Sequence, residues 1–288
     1  MAARSRLLPY ALVSPYLLYL AVFVAFPVGF SVWLTFHKWN IIGEPVAVGF
    51  DNYARLAQDR LFWRSIGNTL KFLLLHIPSQ IAVALGLAVL LDRPLRARAL
   101  FRGAYFLPVI VSGVVVTILW QQLLATDGGL LNRLLTSVGL GRVGWLIDPD
   151  VAMYAIAVMA TWKNVGLYVI LFLAGLQSVP AHYYEAARLE GASAWQQFRF
   201  VTLPAINPTL FAVVVLSTIG GFSLFIEPYV LTGGGPLNST LSAVLYIYKQ
   251  AFQYYHMGCA ATLGLAFSLL IVGVVIVQQR LVESDDDA

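Results

Sequence analysis

The chain is 288 residues long, 59% hydrophobic and only 11% charged, with a mean hydropathy of +0.78. A soluble domain carries about 25% charged residues, so the composition excludes an ordinary soluble protein and fits a polytopic membrane protein with room for about six spans of about 20 residues. The net charge of +4 does not point to nucleic acid, because the basic residues are spread through loops with no aromatic-interleaved basic face; it bears instead on membrane orientation.

Arg4 and Arg6 precede an apolar run over about 9–36. A secretory signal is the rival reading, but the run is too long and no small-x-small cleavage site follows it; a first span with a cytoplasmic N-terminus fits better. Residues 38–65 form a polar outer connection. The second span covers about 68–91, with Lys71 near its start and able to reach the outer surface. The basic stretch at Arg93, Arg96 and Arg98, followed by Arg102, is the strongest single orientation marker and goes inside.

The third span covers about 105–124 and leads to a glycine-rich outer loop. The fourth covers about 151–176, the fifth about 209–231 and the sixth about 258–277. Gly233-Gly234-Gly235-Pro236 reads as a loop after the fifth span, with a short helix expected before Gln253. The acidic end from Glu283 to Asp287 is expected inside and disordered. Basic residues exceed slightly on the inside, and the even number of spans agrees. Cys259 is the only cysteine, so no intrachain disulfide or cysteine metal site can form. His37, His76, His182 and His256 lack ligand spacing, and no metal site is expected.

The polar island between the fourth and fifth spans is the informative stretch. Ser178 and Pro180 stand where a helix would begin and Gly191 where it would end. Ser193 and Gln196 then have the spacing of a capping box, and Pro204 and Pro208 break the pattern before the next apolar run. The reading is two short helices joined at a glycine elbow, with Glu185, Arg188 and Glu190 available to a partner. Composition alone would make it a solvated connector.

The order Glu185-Ala186-Ala187, Gly191, Val201, Leu203-Pro204 resembles the cytoplasmic loop of permease subunits of bacterial ABC importers. Gly49-Phe50-Asp51-Asn52-Tyr53, Tyr105-Phe106-Leu107-Pro108, Trp162-Lys163-Asn164-Val165-Gly166 and Leu231-Thr232-Gly233-Gly234-Gly235-Pro236 extend the likeness to carbohydrate-uptake permeases of the maltose, lactose and glycerol-phosphate kind. Glu190 stands where that family more often has Asp, and Val201 where it more often has Ile. The resemblance implies that the loop docks into a cleft on an ATPase subunit, with Glu185, Ala186, Ala187, Arg188, Glu190, Gly191, Leu203 and Pro204 as the coupling residues. It also implies an extracytoplasmic solute-binding protein, two ATPase subunits and a second, different permease subunit.

A transporter needs a driving force. No lysine follows a glycine here, so the Gly-Lys of a phosphate-cradling loop is missing. Energy therefore comes from a separate ATPase or from an ion gradient. An ion-coupled carrier acting alone predicts inverted repeats and carboxylates at membrane depth, and Glu227 is the one acidic residue deep in an apolar run. For the solute path the candidates are Lys163, Asn164, Ser217, Gly221 and Glu227. Ser217, Gly221 and Leu224 share a helical face, which either meets a solute or packs closely against another helix. Lys163 either lines the path, pairing with Glu227, or snorkels to the interface.

The expectation is thus an all-α polytopic membrane protein of the ABC type I importer permease fold, with about six transmembrane helices. Residues 1–8 would be a cytoplasmic N-terminus, 9–279 the permease domain with its coupling loop at 178–208, and 280–288 an acidic cytoplasmic tail. Both termini would be cytoplasmic at a bacterial inner membrane. The chain would be no enzyme and hold no cofactor, with ATP and magnesium bound by partner subunits. Its role would be translocation of a carbohydrate, with the ion-coupled carrier as the alternative.

Overall fold

The computed structural model describes residues 2–92 and 98–286, and leaves the side chains of residues 1–9, 11, 93–99, 101–102 and 281–288 undescribed. The basic-loop positions Arg93 and Arg96, and Asp287, lie outside the described residues.

In chain order, α1 (Ala2–Leu20) runs through a π-helical turn at Ala21–Ala25 into α2 (Phe26–Leu34). Pro27 sits in the first turn of α2, directly after that π-helical turn, and the helix continues through it. A short antiparallel pair, β1 (His37–Lys38) with β2 (Val46–Ala47), follows, and then α3 (Asp51–Gln58). The next helix, α4 (Arg60–Asp92), begins earlier than its apolar run because Asp59 Oδ1 accepts from Leu61 N at 3.0 Å and Phe62 N at 3.1 Å, capping it within the polar connection.

The third apolar run departs from expectation. It is not one straight helix: α5 (Arg98–Ile110) and α6 (Gly113–Leu123) meet at a bend of 107°. Pro108 has no N–H and its ring crowds the preceding turn. The helix ends two residues later, and Ser112 turns the chain at ψ 130°. A short α7 (Leu130–Ser137) leads to α8 (Ala152–Gln177).

Two short helices, α9 (Ala181–Leu189) and α10 (Ala194–Gln197), make up the polar island. After a π-helical turn at Phe198–Thr202 and one turn of α11 (Leu203–Ala205), α12 (Asn207–Phe222) rises through the fifth apolar run. That run is also interrupted, since α13 (Ile226–Leu231) starts afresh after Ser223–Phe225. The carbonyl of Leu224 freed at this break is satisfied by Ser242 Oγ at 2.6 Å, as a backbone group away from water requires. A short α14 (Ala243–Tyr248) precedes α15 (Met257–Asp286). α15 runs as helix through Asp286, with no Gly or Pro after Gly273 to stop it.

Among the described residues, five helices are long and apolar enough to cross a membrane, or six if the bent α5–α6 pair counts as one span. The chain divides into two compact units, residues 1–62 with 246–270, and residues 63–245 with 271–288.

In the first unit, Asn52 is buried and donates to the carbonyls of Thr35 at 2.8 Å and His37 at 3.0 Å. Met257 N reaches Trp39 O at 3.0 Å, so the loop after α2 is tied to the start of α15. Tyr246 gives its hydroxyl to Asp59 Oδ2 at 2.7 Å and receives Gln250 Nε2 at 2.8 Å. Burial, then the hydrogen bond and charge of Asp59, push the Tyr246 phenol well above its ordinary range.

The second unit is built around α8, whose most apolar window is 61% buried. Gly166 explains one close contact: a Cβ there would run into the backbone of Tyr105 and Phe106 on α5. Small residues let membrane helices approach this closely and gain packing contacts that lipid does not supply. On the other side Phe172, Val169 and Leu173 pack with Ala84, Ala88, Ile206 and Val213. Lys71 is exposed, and its ammonium lies 4.9 Å from the ring centroid of Tyr154 on α8, itself half exposed.

Candidate functional site

Two places gather the residues that the sequence singles out. The first is the elbow between α9 and α10. Gly191 has φ +80°, the left-handed region that a side chain disfavours. Around it Gly191 N bonds Arg188 O at 3.1 Å and Ala192 N bonds Ala187 O at 2.9 Å, the paired closure of a Schellman motif. On the other side Ser193 Oγ accepts from Gln196 N at 3.3 Å while Gln196 Oε1 accepts from Ser193 N at 2.7 Å, a complete capping box. The corner is therefore fixed on one side by backbone hydrogen bonds and on the other by the side chains of Ser193 and Gln196.

The elbow is further tied to the chain that follows. Tyr184 Oη and Thr202 Oγ1 are 3.1 Å apart, and Gln197 Nε2 donates to Ala192 O at 2.9 Å. Glu185, Ala186, Arg188, Glu190, Gly191 and Pro204 are exposed, while Ala187 and Leu203 are half-buried. Among the described residues Glu185, Arg188 and Glu190 form no ion pair. The sequence reading missed the apolar part of this surface. Leu189 is 91% exposed, with Trp195 and Phe200 close behind. Their signal was present as bulky apolar residues inside a polar loop, and exposed apolar clusters mark contact surfaces.

The second place is a cavity of about 270 Å³ in the second unit. It brings together all five path candidates, Lys163, Asn164, Ser217, Gly221 and Glu227, with Leu224 beside them. Lys163 Nζ lies 3.5 Å from Glu227 Oε1, with the two side chains 15% and 11% exposed. Lys163 thus pairs with Glu227 and does not snorkel. Ser217 Oγ is buried without a protein partner. Gly221 also serves packing, since a Cβ there would strike Leu73 of α4. On the shared face Gly221 thus packs closely against α4, while Ser217 lines the cavity.

Along the chain, Tyr168 lies nearer the end of α8 that leads to the elbow and Lys163 near the middle of α8, while Ser217, Ile226 and Glu227 lie beyond the midpoint of α12 or in α13. Sequence reasoning missed the aromatic wall, in which Phe72 and His76 are stacked at 5.0 Å and His76 Nδ1 is 2.9 Å from Thr161 Oγ1. A larger cleft of about 630 Å³, lined by Val83, Pro108, Tyr154 and Trp162 among others, is mostly apolar and offers a polar solute few partners.

Comparison with known proteins places these sites in context. A family profile described as "Binding-protein-dependent transport system inner membrane component" matches residues 72–284. The lactose transport system permease protein LacF of Rhizobium radiobacter is 36% identical over 267 residues, 90% of this chain and 88% of that protein. The trehalose/maltose transport system permease protein MalF of Thermococcus litoralis is 34% identical over 274 residues, 95% of this chain and 91% of that protein. A crystal structure of a bacterial ABC transporter importing the acidic polysaccharide alginate contains a chain with TM-score 0.84 and 25% identity, covering 96% of both chains. A second structure of a bacterial alginate ABC transporter, in complex with an alginate pentasaccharide-bound periplasmic protein, matches with TM-score 0.83 and 25% identity, covering 96% of this chain and 94% of the other.

Proposed function

We propose, from the premise that this chain belongs to the family of binding-protein-dependent transport system inner membrane components, a mechanism for its work as the translocation subunit of a carbohydrate ABC importer. The chain is a multi-pass membrane protein that acts with a solute-binding protein and ABC partners. Its own part is to open and close a passage; ATP and magnesium are the business of separate ATPase subunits.

The observation that carries the mechanism is the elbow. A corner clasped by a Schellman motif and a capping box moves as one piece. It joins the end of α8 to the start of α12, and these two helices line the cavity. An ATPase that grips Glu185, Leu189 and Trp195 and closes on ATP would displace this corner and, through it, both walls of the cavity. Rigid-body rocking of helices about a fixed site is an established form of alternating access. Glu185 and Glu190 would meet basic groups of the ATPase as charge-assisted contacts, while Leu189, Trp195 and Phe200 would bury apolar area.

In this reading the elbow and both termini are cytoplasmic, a different permease subunit completes the pore, and the 270 Å³ cavity is part of the solute path. The test is a cysteine at Ala186 in a chain whose Cys259 has been replaced. Cross-linking in membranes captures a nucleotide hydrolase through position 186, and the cysteine is labelled from the cytoplasmic side. Labelling only from the opposite side, or purification of a chain that transports with no ATPase, would refute the mechanism and favour an ion-coupled carrier.

A further inference from the structure

The Lys163–Glu227 pair leaves much of its bonding capacity unused. One ammonium proton meets Glu227 Oε1 at 3.5 Å, and among the described residues Oε2 and the remaining protons have no protein partner. Ser217 Oγ, 1% exposed and unpartnered, lines the same cavity, as does the Asn164 amide. Phe72 and Tyr168 supply ring surface beside them. The cavity therefore offers donors and acceptors together, with no net charge from its ion pair.

The seat of Lys163 makes this balance sharp. A Cβ on Gly113 would lie 2.8 Å from Lys163 Nζ, so the ammonium sits against the first residue of α6, an 11-residue helix. The N-terminal end of a helix is positive and disfavours a cation. Glu227 is the acid that compensates both the ammonium and this helix end.

A neutral sugar suits such a place. Each hydroxyl can donate to Glu227 Oε2 or Ser217 Oγ and accept from Lys163 or Asn164, without disturbing the pair. A sugar carboxylate meeting the free protons of Lys163 would bring a second negative charge beside Glu227 and leave the cavity with a buried, uncompensated charge. We propose that Lys163 and Glu227 are the specificity-determining pair of the passage, admitting neutral sugars and turning away acidic ones. This rests on reading the cavity as part of the solute path.

The importer, purified whole through a tag on this chain, is titrated with probes matched except for charge: galactose against galacturonate, and α-1,4-galactobiose against digalacturonate. Thermal unfolding is the readout. The native complex is stabilised by the neutral member of each pair at concentrations at least tenfold lower than by the acidic member. In Glu227→Gln the lone ammonium beside the helix end reverses the order. The swap Lys163→Glu with Glu227→Lys keeps a neutral pair and the native order, which guards against a fold that tolerates no change at Glu227. Equal response of the native complex to both members, or an unchanged order in Glu227→Gln, overturns the charge filter while leaving the sugar passage standing. No response to any of the four probes refutes the cavity as a sugar site, and the filter with it.

Discussion

Replacing Gly191 isolates the elbow from every other contribution. No atom lies within 4 Å of where a Cβ on Gly191 would stand, yet its φ is +80°. Gly191→Ala therefore adds no clash; its cost is the left-handed backbone alone, about 1–2 kcal/mol. That reduces the population of the bent corner, relative to unclasped forms, by roughly 5–30-fold. Gly191→Asn costs less, because Asn visits this region more readily. Gly191→Pro costs most: proline holds φ near −65° and removes the N–H that bonds Arg188 O at 3.1 Å. Solute-stimulated ATP hydrolysis and uptake, measured together in proteoliposomes, should fall in the order Gly, Asn, Ala, Pro, with uptake lost faster than hydrolysis. Assembly should be intact, since Gly191 is exposed and far from the packed helices. Three variants with native coupling, or Asn as poor as Pro, would refute a coupling role for the corner.

Three further outcomes follow from other parts of the molecule. Ser193→Ala removes one half of the capping box, costs α10 about 1 kcal/mol, and should speed amide exchange at Gln196; unchanged exchange there contradicts the cap. Gly166→Ala drives a methyl into the Tyr105 backbone and should cost about 1–3 kcal/mol, seen as a lower thermal midpoint in detergent; an unshifted midpoint contradicts the close α5–α8 contact. Tyr246→Phe loses a hydrogen bond to a carboxylate, worth about 1.5–3 kcal/mol. Because the folded phenol is raised above its ordinary value of 10.0, its share of stability is complete below that pH and is lost as pH climbs through the folded value. A Phe variant should lack this alkaline loss, and a native-like fall in stability above pH 10 would count against it.

The sequence made the spans and the elbow legible because both are written in local chemistry. Apolar runs set the helices, and Gly191 with Ser193 and Gln196 set the corner within a few residues. The breaks in the third and fifth runs were hidden for the opposite reason. The turn at Ser112 and the restart at Phe225 lie in stretches as apolar as their neighbours, and the Leu224 carbonyl is satisfied by Ser242, 18 residues away in sequence. Pro108 was the visible clue to the first of them. The meeting of Lys163 with Glu227 could be posed from two ionisable residues at similar depth, but the seat at Gly113 and the orphaned hydroxyl of Ser217 emerge only when three separate segments are brought together. The exposure of Leu189, Trp195 and Phe200 was not legible because a bulky apolar residue in a polar loop reads equally as a buried anchor, and only the tertiary fold decides which it is.

The bonds that close the turn at Gly191 are made by main-chain atoms, whereas Leu189, Trp195 and Phe200 present exposed side chains around it. Shape and identity are thereby separated. Under the proposed docking, substitutions at Leu189, Trp195 or Phe200 retune which motor the subunit accepts while the joint keeps its angle, so that one scaffold is re-keyed to a new engine without first being rebuilt.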